Sequence, residues 1–248
     1  MIKNIDIKDI NKFKIFLNCD FHLSSMLYKD KDLIHKLPFL CDYEKGIDNG
    51  LIEVIDYLDN NNIKGIVKVT NYIRDNENIV GYSMKRYKDY KSFDKNKFRN
   101  LSLKVEDCFQ LMKIVEEMNN HKLIYRDFHT GNVLLNRKTN DIKICDIDAM
   151  YLDKQNEDHK WQRRKALGLC VSYIYNVHPD DSDIVVNRNY PIDRYGYFQE
   201  CIKNSDSSYF YESLNLLKKI DKDSLKEDRK KIKYHANEYK NSGYYRWI

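Results

Sequence analysis

Tyr125-Arg126-Asp127-Phe128-His129-Thr130-Gly131-Asn132, followed by Asp146-Ile147-Asp148, is the stretch on which the reading of this chain turns. The Asp127 carboxylate is a proton acceptor, of the kind that takes a proton from an attacking hydroxyl. Asn132 and Asp146 carry hard oxygen ligands suited to Mg²⁺. Between them, Val133-Leu134-Leu135 and Ile142-Lys143-Ile144 read as the two arms of a β-hairpin. A hairpin returns its ends to one place, so Asp127 and Asp146 are expected to face one site.

Working outward, two regions of different character appear. Upstream, Phe13–Leu17, Ser25–Tyr28 and Leu33–Leu37 read as strands, with Lys29–Asp32 a turn and Pro38 a stop. Residues 47–60 place Leu51, Ile55 and Leu58 at helical spacing, with Asp48 or Asn49 as the cap. Ile66–Ile73 and Ile79–Met84 read as a strand hairpin across Arg74–Asn78. Downstream, Ser102 is expected to cap a helix with Val105, Cys108, Met112 and Val115 on one face, stopped at Asn119-Asn120-His121. Ala166–Tyr175 and Tyr209–Ile220 read as helices, and a charged segment runs from there to the C-terminus.

Composition narrows the class. The 248 residues are 42% hydrophobic and 13% aromatic, enough for a core and too apolar for a disordered chain. The net charge of +5, from 43 basic and 38 acidic residues, is mild and well mixed. Arg163-Arg164-Lys165 and Arg229-Lys230-Lys231 read as solvated helix faces, so no nucleic-acid partner is expected. Cysteines at 19, 41, 108, 145, 170 and 201 lack the spacing of a zinc or redox motif and read as free thiols in a reducing compartment. The N-terminus has no apolar signal core and no apolar run is long enough to span a bilayer. A cytoplasmic protein with no membrane partner is the expectation.

With these residues on the page, the chain resembles the protein-kinase-like superfamily. Asp127, Asn132 and Asp146 match that family's catalytic loop and metal-binding element. The resemblance covers most of residues 20–175 and is most specific over 124–148. It implies an α+β, bilobal fold. Residues 1–88 would form a small antiparallel β-rich N-lobe with one helix, and 89–248 a mostly helical C-lobe bearing the catalytic loop and metal site. It also implies ATP and Mg²⁺ as cofactors, with an unknown hydroxyl acceptor, protein or small molecule.

Residue by residue, the resemblance makes Asp127 the base, Asn132 and Asp146 the metal ligands and Lys36 the cation on the nucleotide phosphates. Glu53 would hold Lys36, with Glu44 and Asp48 as alternatives. Met84 falls near the adenine-holding hinge, or belongs to the core. Arg126 is the protein-kinase choice beside the base. His129 either contacts the transferred phosphate or hydrogen-bonds Asp127. Asp148, where the family has Gly, resembles the Asp-x-Asp of some small-molecule kinases; it either adds a metal contact or is solvated.

Two departures matter. The run before Lys36, Asp20 to Leu27, contains no Gly, so Ser24 and Ser25 would have to serve the phosphates with hydroxyls. The segment after Asp148 is short, has no Ser or Thr between 149 and 165, and has Arg163 where the family's buried helix starts with Asp. Arg126 favours a protein kinase. His129, Asp148 and the short segment favour a small-molecule kinase of the aminoglycoside- or choline-kinase type. The missing glycines favour a pseudokinase acting as a nucleotide-binding regulatory module.

Overall fold

The computed structural model describes residues 2–10, 12–17 (backbone alone for 14–17), 25–38, 46–153, 159–178, 181–182, 211–212, 214–215 and 218–242. The chain divides into two compact units, Met1–Asp89 and Tyr90–Ile248. It is a mixed α/β protein, with a sheet in the N-terminal part and helices later.

The first unit is built on a six-stranded sheet. Its strands are β1 (Lys3–Asp6), β2 (Lys14–Leu17), β3 (Ser25–Lys29), β4 (Leu33–Pro38), β5 (Val69–Asp75) and β6 (Asn78–Lys85), in the order β1-β5-β6-β4-β3-β2. All neighbours are antiparallel except β1, which runs parallel to β5. A four-residue helix, α1 (Ile7–Ile10), follows β1 and buries Ile10. Neither element was signalled by the sequence, because Lys3-Asn4-Ile5-Asp6 lacks the alternation of a strand with one buried face.

Strand β5 starts three residues later than the apolar run suggests. Gly65 takes a positive φ of 85°. The chain turns there, and Ile66 and Val67 go into the core without joining the ladder. The β5–β6 turn is tighter than expected, with Asp75 opposite Asn78 and Asn76 left-handed at φ 54°. Such a turn favours Asn. Central β4 packs so close to β6 that a Cβ on Gly81 would lie 2.3 Å from the Lys36 carbonyl oxygen. Only glycine fits there.

The helix read at 47–60 is α2 (Asn49–Asn61), capped by Asp48, whose side chain accepts the Gly50 N–H at 2.7 Å. Leu51, Val54 and Ile55 form its buried face. Tyr72 on β5 donates to the Asp56 carboxylate at 2.6 Å and ties the helix to the sheet. In β4, His35 is buried with Nδ1 2.8 Å from Ser83 Oγ, and Phe13 stacks on its ring at 5.0 Å.

The second unit holds α3 (Leu101–Asn120), α4 (His159–Tyr175) and α5 (Lys222–Asn241) beside two small sheets. One sheet is β7 (Tyr90–Ser92), β9 (Val133–Asn136) and β10 (Ile142–Ile144), with β9 in the middle; the other pairs β8 (Leu123–Tyr125) with β11 (Met150–Leu152). Asn100, not Ser102, caps α3: its side chain accepts the Ser102 N–H at 2.9 Å. The expected stripe of Val105, Cys108, Met112 and Val115 is buried. Helix α4 begins at His159, seven residues before its apolar run, because its first two turns are polar and amphipathic signals start only at Ala166. The charged C-terminal segment is itself helical, as α5. Of the helix read over 209–220, residues 209, 210, 213, 216 and 217 lie outside the described set; Tyr211, Glu212, Leu214 and Asn215 are helical. Cys108 and Cys170 are buried free thiols and Cys145 is half-buried, while Cys19, Cys41 and Cys201 lie outside the described residues. Among the described residues, no helix is long and apolar enough to cross a membrane.

Charged groups are buried where α3 meets α4. Asp107 is fully buried, accepts the Tyr173 hydroxyl at 2.9 Å and pairs with Arg99 at 2.9 Å. Three residues earlier, Lys104 is 2% exposed and donates to the Tyr173 carbonyl at 2.7 Å and to Asn176 Oδ1 at 2.6 Å. The ammonium thereby satisfies the C-terminal end of α4, where cations are favoured. Burial pushes its pKa down to about 8, below the ordinary 10.5. Below pH 8 the ammonium is charged in both folded and unfolded chains. Between pH 8 and 10 the unfolded chain holds the proton more tightly, so stability rises with pH. Chemical denaturation across that window should show a rising midpoint in the wild type. The rise should be absent in Lys104→Met.

Candidate active site

Strands on both sides fix the loop from Arg126 to Asn132. At its start, β8 pairs with β11, Tyr125 opposite Met150, and the Arg126 N–H donates to the Ala149 carbonyl at 2.9 Å. At its end, β9 pairs with β10, Val133 opposite Ile144, and the Cys145 N–H donates to the Asn132 carbonyl at 2.9 Å. The Tyr125 hydroxyl, buried under the loop, donates to the Cys145 carbonyl at 3.0 Å. Burial, reinforced by nearby Asp146, pushes the Tyr125 pKa up, so the phenol stays a neutral donor. Phe128 packs edge-on against the Tyr125 ring at 4.9 Å.

Within the loop, Asn132 Nδ2 donates to Asp127 Oδ2 at 2.8 Å and to the Asp127 carbonyl at 3.2 Å. An amide has one nitrogen and one oxygen, so this orientation spends the nitrogen on Asp127 and keeps Oδ1 as an acceptor. His129 Nε2 lies 3.4 Å from Asp127 Oδ2, and its Nδ1 accepts the Gly131 N–H at 3.1 Å. The ring therefore sits beside the carboxylate through Nε2. A Cβ on Gly131 would come 2.8 Å from His129 Cε1, so the small residue keeps the imidazole in place. Asp127 holds the His129 pKa above its ordinary value of 6.5, against the opposing effect of burial, with Asp94 and Asp146 adding to the pull. Both side chains are about half exposed, 46% and 50%, which leaves Asp127 open to a partner.

Asp146 leaves β10 in the left-handed region, φ 64° and ψ 58°. Asp adopts this less easily than Gly, at a cost of about 1–2 kcal/mol for an L-residue. Asp148 follows in a short 3₁₀ turn, Ile147–Ala149, anchored by fully buried Ile147. The structure thus brings Asp127, His129 and Asn132 together in direct contact and sets Asp146 at the far end of the same hairpin. Arg126 is exposed, with its guanidinium over the Tyr151 ring at 4.2 Å.

Oxygen donors from Asn132, Asp146 and Asp148 suit Mg²⁺. Among the described residues, no group of three or more His, Cys, Asp or Glu is set to hold a metal by itself. Mg²⁺ bound beside phosphates asks for no such cage: it uses one or two carboxylates, waters and the substrate's own oxygens.

In the first unit, Lys36 is 4% exposed at the middle of β4, opposite Leu27 on one side and Tyr82 on the other. A lysine ammonium at that depth is costly unless it is partnered, so Lys36 is no ordinary strand-surface lysine. Glu53 is on the exposed side of α2. Ser25 opens β3 and is buried, and Met84 is buried in β6 opposite Ile34 and Val69. Ser24 and Glu44 lie outside the described residues.

Two residues that the sequence did not single out hold the loop. Gln162 is fully buried; its Oε1 accepts the Tyr125 N–H at 2.5 Å, and its Nε2 donates to Asn119 Oδ1 at 2.8 Å and to the Leu123 carbonyl at 3.1 Å. The side chain of α4 that reaches the loop's base is therefore Gln162. Asp94, in a 3₁₀ turn at Phe93–Asn96, accepts the Thr130 hydroxyl in a short hydrogen bond. No local pattern marks either one, since both partners are distant in sequence.

No protein-family model and no curated protein matches the sequence. Among solved structures the chain is similar to the Cydia pomonella granulovirus kinase, PK-1. The TM-score is 0.50 at 14% identity, over 69% of this chain and 72% of that one. At that identity the likeness speaks for the fold alone, and the fold is kinase-like.

Gln162→Leu should leave the Tyr125 N–H, the Leu123 carbonyl and Asn119 short of a partner, costing about 2–4 kcal/mol in denaturant unfolding. In an NMR titration, His129 should titrate above 6.5 in the wild type and move down in Asp127→Asn. A titration unmoved by that substitution would separate the two side chains.

Proposed function

We propose that this chain is an ATP- and Mg²⁺-dependent phosphotransferase moving the γ-phosphate to a hydroxyl acceptor, with a protein-kinase-like rather than small-molecule acceptor. The observation that carries the reading is the contact set Asp127–Asn132–His129 on a loop pinned at both ends to the segment bearing Asp146. The kinase-like fold supports it.

In this reading Asp127 orients the acceptor hydroxyl and accepts its proton as the oxygen bonds to the γ-phosphorus. The bond from that phosphorus to the β–γ bridging oxygen breaks, and ADP leaves with the electron pair. Asn132 holds Asp127 in place and offers its Oδ1 to the metal. Asp146, with Asp148 beside it, offers carboxylates to the metal, which when bound neutralises charge on the phosphate oxygens. His129, whose pKa Asp127 raises, adds positive charge beside the transferred group in its protonated form, in which Nδ1 no longer accepts the Gly131 N–H. Arg126, stacked on Tyr151, fixes the backbone beside the base.

We assign nucleotide binding to the unit containing residues 1–88 and the acceptor chemistry to 89–248. Lys36 is assigned to the nucleotide phosphates with Glu53 as its holder. Ser24 and Ser25 replace the missing glycines, and Met84 lies at the adenine side.

The test is ADP formation and intact mass after incubation with Mg²⁺-ATP. Wild type should release ADP, and chelating the metal should stop it. Asp127→Ala should lower turnover by about 10²–10⁴-fold, the usual worth of a positioned base. Asp146→Asn, which retains the left-handed backbone, should fold normally and lose metal-dependent turnover. Wild type that neither binds nor hydrolyses Mg²⁺-ATP would overturn the reading.

A further inference from the structure

Next to the turn at Thr130, the second unit holds an open cavity of about 370 Å³, lined by Asp94, Lys97, Thr130, Tyr173, Asn176 and His178 among others. Its size is in the range that accepts a small ligand or a side chain. It adjoins the loop that carries Asp127, and one wall is joined to that loop by the Asp94–Thr130 hydrogen bond.

The polar groups of this lining divide into those engaged inside the protein and those that face outward. Ser172 Oγ donates to the Val177 carbonyl at 2.8 Å, and the Tyr173 hydroxyl donates to Asp107 at 2.9 Å. Asp94 accepts from Thr130. Lys97 is exposed, with its ammonium 5.5 Å from the centre of the Phe98 ring. Behind the wall, Lys104 binds two neutral oxygens, the Tyr173 carbonyl and Asn176 Oδ1. Asp107, whose charge acts on Lys104, is itself paired with Arg99 at 2.9 Å. Two ammonium groups thus stand at and behind this lining against the single carboxylate of Asp94. Among these groups positive charge exceeds negative by one, and an anion entering beside Lys97 would meet that excess.

The rim adds a second property. Phe98 is 89% exposed, immediately beside Lys97. A large aromatic ring presented to solvent at a charged opening suits a chain that continues past the cavity, with apolar contact outside and charge contact inside.

We propose that this cavity seats an acidic side chain of a peptide acceptor, close to the hydroxyl that is phosphorylated, and that Lys97 selects it. The proposal rests on the phosphotransferase reading and names its acceptor class. The Asp94–Thr130 bond links an occupied cavity to the turn that positions His129 and Asp127.

The test uses the full chain and two labelled nonapeptides with one central Ser, one flanked by Glu and the other by Lys. Fluorescence anisotropy reads binding, and ADP release with Mg²⁺-ATP is read in parallel. The Glu peptide should bind at least about tenfold more tightly than the Lys peptide, and added salt should shrink the difference. Lys97→Glu should cancel or invert the preference while Mg²⁺-ATP binding is unchanged; Lys97→Ala should move it the same way by less. Equal binding of the two peptides, or a preference that survives Lys97→Glu, overturns the proposal even where ADP is formed. A Lys97-dependent preference in a chain that neither binds nor turns over Mg²⁺-ATP upholds the acidic-peptide site and removes the phosphotransfer reading instead.

Discussion

Everything proposed for the second unit depends on a short loop being held at both ends by backbone hydrogen bonds. Arg126 N–H to Ala149 and Cys145 N–H to Asn132 close the two gaps where β8 gives way to β9 and β10 gives way to β11. Each is an ordinary peptide hydrogen bond, worth about 1 kcal/mol net. Their effect is geometric. A seven-residue loop free at either end would sample many conformations, and the Asp127–Asn132 contact would have to offset that entropy alone. With the ends fixed, the side-chain contacts at 2.8 Å and 3.4 Å choose among few arrangements. This is the preorganisation that charge-based catalysis needs, because dipoles already in place cost nothing to reorganise.

The supports for this loop lie one layer deeper and are polar. Gln162 reaches from α4 into β8, and the Arg99–Asp107–Tyr173 group joins α3 to α4. Burying such groups is costly unless nearly every donor and acceptor is met. Gln162 meets three partners and Asp107 two. A core of leucines would be more forgiving of movement. A polar network paired through Gln162 and Asp107 accepts few arrangements, and so it holds β8 and α4 against α3.

The hairpin that carries Asn132 and Asp146, the helices α2 and α3 and most strands of the first sheet were legible because their signals are local. Val133–Leu135 and Ile142–Ile144 alternate or run apolar, and Asp48 stands where a cap should. The three-residue strands β7, β8 and β11 are too short for periodicity to register. Gln162 and Lys104 were missed for another reason: their partners are 37 to 72 residues away. Nothing in the neighbouring sequence says that a glutamine or lysine is buried. Asp94 was missed in the same way, since Thr130 is 36 residues distant. The proposed catalytic pattern stands out in the sequence because its residues are concentrated in one loop. Its supports do not, because support is by nature non-local.

Asp146 shows how the two kinds of information meet. Among the described residues, six other than glycine take positive φ, and four of them are Asn: Asn62, Asn76, Asn140 and Asn176. Asn is the usual choice where an L-residue must be left-handed, because its short amide bonds the local backbone. At 146 the chain uses Asp, and the Asp side chain does not cap the 3₁₀ turn it precedes. The backbone there would be served equally by the neutral amide found at the other four positions. What Asp adds over Asn is a negative charge, placed at the end of β10 beside a loop already carrying Asp127. Carboxylates that share a region repel one another, and a divalent cation offsets that repulsion. The left-handed backbone, the added charge and an Asn132 Oδ1 not spent on Asp127 are what the proposed role asks for, a hard cation bound together with phosphate.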